Sequence, residues 1–283
     1  MDAMHNPPGA KRGSARPDVP RLARILGRRR ELDDVWTLAV EGAHNRPAPG
    51  QFNMLYVPGV GEVPISSSGD PRRDELVHTV RAVGPVTRAL TRLKSGDMVG
   101  VRGPFGAGWP LERAHGKNVV LIAGGIGLAP LRPALYHFCG DPARKERLTL
   151  LYGARTPADV LYARELQRLA KRGGLEIRIT VDHATGEWPG PVGVVTSLIG
   201  PGLIDPQRTL AMICGPEVMM RFTINALMDL GLSADDIYLS MERNMKCALG
   251  HCGHCQFGAK FICKDGPVLR FDRVRSLLSV REL

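Results

Sequence analysis

Apolar residues recur along this chain in two different rhythms. Between about residues 21 and 102 they come in short runs, at 36–40, 52–57, 76–83 and 98–101. Gly42, Gly50, Gly59, Gly61, Gly69 and the Gly96-Asp97 pair punctuate them. Short runs bounded by turn residues predict strands. One helix interrupts the series at 86–94, with Leu90 and Leu93 on one side. Several short strands with a single helix predict a small β-barrel.

Further on the rhythm changes. Residues 119–123 form a continuous apolar run of the kind buried on both faces. Gly124-Gly125-Ile126-Gly127 follows, and then a helical pattern at 130–138. Strands are predicted at 148–152, 175–181, 209–213 and 237–240. Helices are predicted at 158–171, 193–199 and 218–230. Strands alternating with helices predict a doubly wound α/β domain, a parallel sheet covered on both faces. The predicted organisation is a tail at 1–19, a barrel domain at 20–111, an α/β domain at 112–240 and a small cysteine-bearing segment at 241–283.

Length and charge narrow the picture. A chain of 283 residues, 43% of them hydrophobic, fits about two domains with real cores. No run approaches the roughly 20 apolar residues that cross a bilayer. The first 20 residues are rich in Pro, Gly, Arg and Lys and lack an apolar signal region, so a disordered tail and a cytoplasmic location are expected. The net charge is +10, with clusters at Arg28-Arg29-Arg30 and along 270–281. Aromatic residues are only 5%, and no basic stripe is interleaved with them, which argues against nucleic acid. The charge reads as a solvated basic surface, or as a face that docks an acidic partner.

Six cysteines change the picture more. Cys139 and Cys214 stand alone; Cys247, Cys252, Cys255 and Cys263 crowd one window with the spacing C-x4-C-x2-C-x7-C. A tight cluster without a signal peptide points to metal rather than disulfides. The first two gaps match plant-type [2Fe–2S] spacing. Gly250 and Gly253 let the backbone wrap closely and aim N–H groups at sulfur. A structural zinc site is the alternative, although four-cysteine zinc sites ordinarily use two C-x2-C knuckles and only one is present. A Rieske centre needs two histidine ligands, and the four cysteines make His251 and His254 unnecessary.

The turn Gly124-Gly125-Ile126-Gly127-Leu128-Ala129-Pro130 follows a strand and opens a helix. Such a turn offers free N–H groups and a positive dipole to a phosphate. It is not G-x-G-x-x-G, because Pro130 stands at the last position, and glycine for packing alone accounts for it locally as well. Arg155, just past the 148–152 strand, is a candidate for a 2′-phosphate or an adenine ring, or else a surface arginine. Cys214-Gly215-Pro216-Glu217 ends another strand, where Cys214 reads equally as a small buried residue.

Taken together, the barrel, the A-G-G-I-G-L-A-P turn, the C-G-P-E turn and the terminal cysteine loop resemble the ferredoxin–NADP reductase superfamily. The run from Ser240 to Cys247, S-M-E-R-N-M-K-C, and Cys263-Lys-Asp-Gly-Pro-Val268 are similar to hydrogenase and sulfhydrogenase gamma subunits, and to the electron-transfer subunit of class B dihydroorotate dehydrogenases. The resemblance implies FAD in the barrel and NAD(P)H over it. Val63-Pro64-Ile65-Ser66 matches the family's first flavin motif, with Ser66 near the flavin N5 and Ile65 in place of the stacking aromatic. Val63 stands where the family has arginine. Thr79-Val80-Arg81 and Gly84-Pro85-Val86-Thr87 match the second and third flavin segments, and Arg81 is a candidate to supply the lost charge. Gly124, Gly125, Gly127 and Pro130 would take the nucleotide pyrophosphate, and Cys214 and Gly215 would lie beside the nicotinamide. Glu242 resembles an acidic residue near the flavin in some relatives.

The implied activity is that of a diaphorase subunit, moving electrons between NAD(P)H, FAD and a [2Fe–2S] cluster and a partner subunit, with a hydrogenase favoured. No acid or base for a final substrate is evident, and the basic stretch at 270–281 is a candidate docking face for the next carrier. The alternatives are a non-catalytic zinc-bearing or nucleotide-sensing subunit, or the electron-transfer subunit of a dihydroorotate dehydrogenase or sulfite reductase.

Overall fold

The computed structural model describes residues 17–42, 46–184, 186–278 and 280. Residues 1–16 of the expected disordered tail, and Arg281 of the basic stretch, lie outside them. Six antiparallel strands build the first body: β1 (Arg21–Arg30), β2 (Val35–Val40), β3 (Phe52–Val57), β4 (Gly61–Ser66), β5 (Leu76–Arg81) and β6 (Met98–Phe105), in the order β4-β3-β6-β1-β2-β5. The edge strands β4 and β5 meet through a bridge between Ser67 and His78, so the sheet curls into a barrel. Inward residues such as Ala23, Ile25, Leu38, Leu55, Val80 and Val99 fill it, and helix α1 (Pro85–Arg92) contributes Leu90. β1 escapes the apolar-run reading because only Ala23 and Ile25 point inward, while its arginines face out. Strand β5 stops at Arg81, short of the predicted residue 83, because Gly84-Pro85 already begin α1.

The second body is a sheet whose five parallel strands are β7 (Asn118–Gly124), β8 (Leu148–Ala154), β9 (Glu176–Val181), β10 (Thr209–Cys214) and β11 (Ile237–Ser240). In β7, Val119, Leu121 and Ala123 face helices α2 (Leu128–Cys139) and α3 (Ala163–Lys171). Val120 and Ile122 face α4 (Glu217–Asp229). Burial on both faces explains the unbroken apolar run, each such side chain contributing about 1.5–3 kcal/mol. Helix α3 starts five residues later than predicted. Thr156 and Asp159 instead cap a 3₁₀ turn, Asp159 accepting from the Thr156 N–H at 3.1 Å and its hydroxyl at 2.7 Å. The predicted 193–199 helix is a 3₁₀ turn at Val195–Leu198.

The cysteine segment is stitched into this sheet. It contains a small hairpin, β12 (Gln256–Phe257) with β13 (Lys260–Phe261), then one turn of helix α5 (Ile262–Asp265). Strand β14 (Val268–Arg270) then pairs antiparallel with β11, giving the order β14-β11-β10-β7-β8-β9. Phe257, Ile262, Cys255 and Cys263 share one apolar core with Phe52 and Phe105 of the barrel and Ile224 of α4.

Barrel and sheet are joined by a buried polar seam. Arg132 of α2, 7% exposed, donates from Nε and Nη2 to Glu165 at 3.0 and 2.6 Å, and from Nη1 to the Ser68 carbonyl at 3.1 Å. Its guanidinium lies 4.1 Å from the Tyr162 ring centre, and the Tyr162 hydroxyl meets Thr79 Oγ1 at 2.6 Å. Removing one partner of a buried pair strands the other charge, whereas apolar replacement of both removes that penalty. Arg132→Met is therefore expected to cost about 3–5 kcal/mol in urea unfolding, and Arg132→Met/Glu165→Leu much less.

Candidate functional site

Parallel strands place their carboxyl ends, and the turns after them, along one edge of the sheet. Here that edge faces the barrel across a cavity of about 1100 Å³. One wall carries Gly124, Gly125, Gly127, Gly153, Arg155, Asp182, Gly215 and Glu217; the other carries Asp34, Arg81 and Val83. Glu242 and Arg243, just past β11, also line it. Val83, Val194, Val218 and Phe222 line the cleft too, each more than half exposed, and give it an apolar rim. Of the residues expected from sequence, Arg81, Gly124, Gly125, Gly127, Arg155 and Gly215 therefore meet in one cleft. Cys214 is buried beneath it, and Pro130 is buried within α2.

The glycine turn suits an anion. A Cβ on Gly127 would strike the Cys214 carbonyl, and one on Gly124 would strike Met219 Sδ, so the turns after β7 and β10 pack closely against each other. Gly125 has φ +54° and open space where a Cβ would point. The first turn of α2 holds no acidic side chain, and its N-cap, Gly127, has no side chain to satisfy the free N–H groups. These groups fit the pyrophosphate of a pyridine nucleotide.

The barrel residues fall elsewhere. Pro64, Ile65 and Ser66 lie along β4, half-buried over its whole length, and Thr79, Val80 and Arg81 end β5. His78, fully buried, locks the first group in place. Its Nδ1–H donates to the Ser66 carbonyl at 3.0 Å, and Asn53 Nδ2 donates to its Nε2 at 3.1 Å. Burial pushes its pKa down to about 4. The Thr79 hydroxyl is spent inward on Thr37, Ser68 and Tyr162, which leaves only its backbone for a ligand. The Thr87 hydroxyl accepts from the Val83 and Gly84 N–H groups at 3.1 and 2.8 Å, so it caps α1, and Gly84 and Val86 flank that cap. Arg81 Nε lies 3.3 Å from Asp34 Oδ2 without the alignment of a hydrogen bond, and is a buried donor left unsatisfied beside the cleft. An orphaned cationic donor and a helix start without acidic side chains fit a flavin diphosphate, despite Val63.

Two acids shape the cleft electrostatically. Water reaches Glu242, yet protein encloses it on most sides; that enclosure raises its carboxyl pKa, and Arg81 works against the rise. Burial, and then Glu242, raise the Cys214 thiol, opposed by the Ser240 hydroxyl. Glu217 accepts from Arg221 at 2.7 Å and Arg243 at 3.4 Å. Asp34 and Arg243 carry no signal in the sequence that sets them apart from ordinary loop charges.

The four cysteines sit at graded depth: Cys252 exposed, Cys247 half-buried, Cys255 and Cys263 buried. The Leu249 and His251 N–H groups point at Cys247 Sγ at 3.3 and 3.4 Å, and the Gly250 N–H at Cys263 Sγ at 3.2 Å. Ala248, Gly250 and Gly253 hold positive φ, the winding that turns these amides inward. Burial favours the neutral thiol of Cys247, but these amides outweigh it and lower its pKa; the His254 amide first, with Cys247, lowers Cys252 to about 7. Burial, then Cys255, push Cys263 up to about 12. Among the described residues no three of these side chains gather as ligands of a single ion. The Cys263 N–H points at Cys255 Sγ at 3.5 Å. Thiols with amides aimed at them fit an iron–sulfur cluster, whose sulfurs accept such bonds. His251 and His254 are both exposed, while Cys255 beside them is buried. Arg270 of the basic stretch is paired with Asp272 at 2.6 and 2.7 Å, which removes it as a free docking charge.

Comparison with known proteins agrees with this geometry. Residues 121–225 match the oxidoreductase NAD-binding domain, and residues 242–275 the iron–sulfur cluster binding domain of dihydroorotate dehydrogenase B. The gamma subunit of sulfhydrogenase 2 from Pyrococcus furiosus is 38% identical over 240 residues, 79% of this chain and 83% of the relative. A probable dihydroorotate dehydrogenase B (NAD(+)) electron transfer subunit from Thermococcus kodakarensis is 34% identical over 254 residues, 87% and 97% of the two chains. The chain belongs to this family of electron-transfer subunits. The NADH-dependent reduced ferredoxin–NADP oxidoreductase structure superimposes with a TM-score of 0.72, 25% identity and 96% of both chains covered. A ferredoxin NADP+ reductase from Neisseria gonorrhoeae, with bound FAD and NADP, shares the fold at a TM-score of 0.67, 20% identity, and 77% and 97% coverage. The expected ferredoxin–NADP reductase architecture is therefore present, and the subunit is an NAD(P)H-dependent oxidoreductase component with an iron–sulfur domain. No helix of the described residues is long and apolar enough to cross a membrane.

His78 gives this subunit a distinct acid response. Its folded pKa of about 4 lies below the ordinary value of 6.5, so the unfolded chain binds the proton first. Stability from this group is complete above pH 6.5 and falls as the pH drops toward 4, by about 3 kcal/mol in all. NMR titration of the His78 imidazole should show it neutral at pH 5.5, and urea unfolding of His78→Gln should lose this part of the pH slope.

Proposed function

We propose that this subunit carries electrons between NAD(P)H, FAD and a [2Fe–2S] cluster, to or from a partner subunit of hydrogenase type. The observation that carries the reading is how directly the chain links the cleft to the cysteines. Arg243 lines the cleft, and Cys247, only four residues later, begins the cysteine loop. Four residues span at most about 14 Å, so a cluster ligand lies within that reach of the cleft.

Each residue has a place in this reading. The amides at Gly124, Gly125 and Gly127 bind the nucleotide pyrophosphate, with Pro130 inside the helix they open. Arg155 faces the adenosine end, and Cys214 and Gly215 support the nicotinamide. Pro64, Ile65, Ser66, Thr79, Val80 and Arg81 border the flavin ring, and Gly84, Val86 and Thr87 start the helix that faces its diphosphate. Val83, Val194, Val218 and Phe222 exclude water when the cleft fills. The bound cofactors supply the conversion of a two-electron hydride into single electrons. The chain supplies distance, orientation and charge.

Identities of 38% and 37% to two sulfhydrogenase gamma subunits support a hydrogenase partner, while electron transfer subunits of dihydroorotate dehydrogenase reach 34–37%. A second reading, the electron-transfer subunit of a dihydroorotate dehydrogenase, draws on the match of residues 242–275. The reading includes a cytoplasmic location, where thiols stay reduced for cluster assembly.

Anaerobic reconstitution tests the cofactor set. The chain is expected to hold one FAD with two irons and two labile sulfides, and NAD(P)H is expected to bleach both chromophores. Stoichiometric zinc without labile sulfide would sink the reading. Cys255→Ser should lose the cluster while NAD(P)H still reduces the flavin. Gly125→Asp places a negative charge in the open space at the pyrophosphate turn. It should raise KM for the nucleotide at least about tenfold, or 1.4 kcal/mol, with flavin content unchanged.

A further inference from the structure

Arg102 of β6 lies where the barrel meets the cysteine loop. Its side chain is buried, 6% exposed, and makes a two-armed bond to Glu62 of β4, Nε to Oε1 at 2.7 Å and Nη2 to Oε2 at 2.6 Å. The third nitrogen, Nη1, turns the other way and donates to the Cys247 carbonyl at 3.2 Å and the Pro17 carbonyl at 3.1 Å. The guanidinium also lies 5.5 Å from the Phe105 ring centre, in the core shared by Cys255 and Cys263. A permanent cation is thus held against the backbone of one cluster cysteine, with Glu62 bound to its other arm and Asp18, next to Pro17, a weaker anion nearby.

We propose that Arg102 and Glu62 together set the reduction potential of the cluster, Arg102 favouring the reduced state and Glu62 opposing it. The inference rests on the cluster reading above and goes beyond it. Reduction adds one negative charge to the cluster. A cation nearby lowers the energy of that charge, and the effect is strong where water is excluded. Glu62 screens the cation, but from farther away, so the fork presents its positive end to Cys247. Hydrogen bonds and charges around the sulfurs are known levers on such potentials. Arginine suits this task because it stays charged when buried and keeps a spare donor after a two-armed bond. Arg102 is here a positioning and tuning residue, since it touches a ligand's backbone rather than the reacting atoms.

The test is a redox titration of the anaerobically reconstituted full chain, with the reduced cluster followed by its electron paramagnetic resonance signal. Arg102→Met is expected to lower the midpoint potential. At a fixed potential the reduced-to-oxidised ratio should fall about tenfold, or about 59 mV for a one-electron couple. Glu62→Gln, which frees the cation from its screen, should move the potential in the opposite direction. Arg102→Lys, which keeps the charge, should stay closer to the parent chain than Arg102→Met. Iron and labile sulfide are to be measured in every variant. If Arg102→Met does not hold a cluster, the rise in Glu62→Gln decides alone. Shifts of the same sign in both variants, or an unchanged potential in Glu62→Gln, overturn the proposal while leaving the cluster reading intact. A parent chain without iron and sulfide overturns both.

Discussion

Arg132 fixes the geometry on which electron transfer in this fold depends. It is rooted in α2, the helix that begins at the glycine turn, and its spare nitrogen holds the Ser68 carbonyl just past β4. Thr79, at the edge of β5, is tied to the same seam through Tyr162. One buried guanidinium therefore couples the glycine turn to both edge strands of the barrel, β4 and β5. A polar seam of this kind adds little net stability compared with an apolar one. Its value lies in direction: a two-armed bond and a stacked ring permit one arrangement, whereas an apolar contact tolerates sliding. Hydride transfer demands near contact of two rings, so the constraint sits where a small displacement would matter most.

The cysteine segment obeys the same logic by different means. Its apolar side chains join the core beneath α4, its last strand extends the sheet on β11, and Arg102 ties its first cysteine to the barrel. Three independent attachments hold a loop that has almost no regular structure of its own. The depth of the cysteines then gives it polarity. Cys255 and Cys263 face the core, while Cys252 is exposed, so one edge of the loop is available to a partner. Charge gives that partner less footing than composition suggests, because Asp272 neutralises Arg270 at the start of the basic terminal stretch.

Much of this is legible in the sequence, for definable reasons. The sheet strands stand out because both their faces are buried, and burial on both faces demands an unbroken apolar run. The glycine turn and the cysteine spacing stand out because backbone approach and metal ligation each demand particular residue types. β1 is hidden by outward arginines, and β14 by being three residues long. The start of α3 is obscured because leucines at 161 and 166 continue a helical rhythm that a 3₁₀ turn interrupts. Asp34, Arg102 and Arg132 are beyond reach, since each acts through a contact with a distant element and nothing local distinguishes it from a surface charge.

At Val63 the chain departs from the family's motif, and the rest of the barrel bears on what that loss means. The family's motif carries arginine there, and its absence is the strongest sequence argument for a barrel that has given up its flavin. Yet β4 remains half-buried along its length, His78 still secures Ser66, and α1 still opens without an acidic side chain. Arg81, on the opposite edge strand, keeps a buried nitrogen that no protein group satisfies. A buried donor without a partner costs about 1–3 kcal/mol, which a folded barrel with no ligand would have little reason to retain. Arg81 places a cation on β5, whose edge is bridged to that of β4, and Asp34 holds the side chain near its place without meeting its hydrogen-bonding need. A barrel that had lost its anionic ligand would be expected to close that pair fully; this one leaves it open.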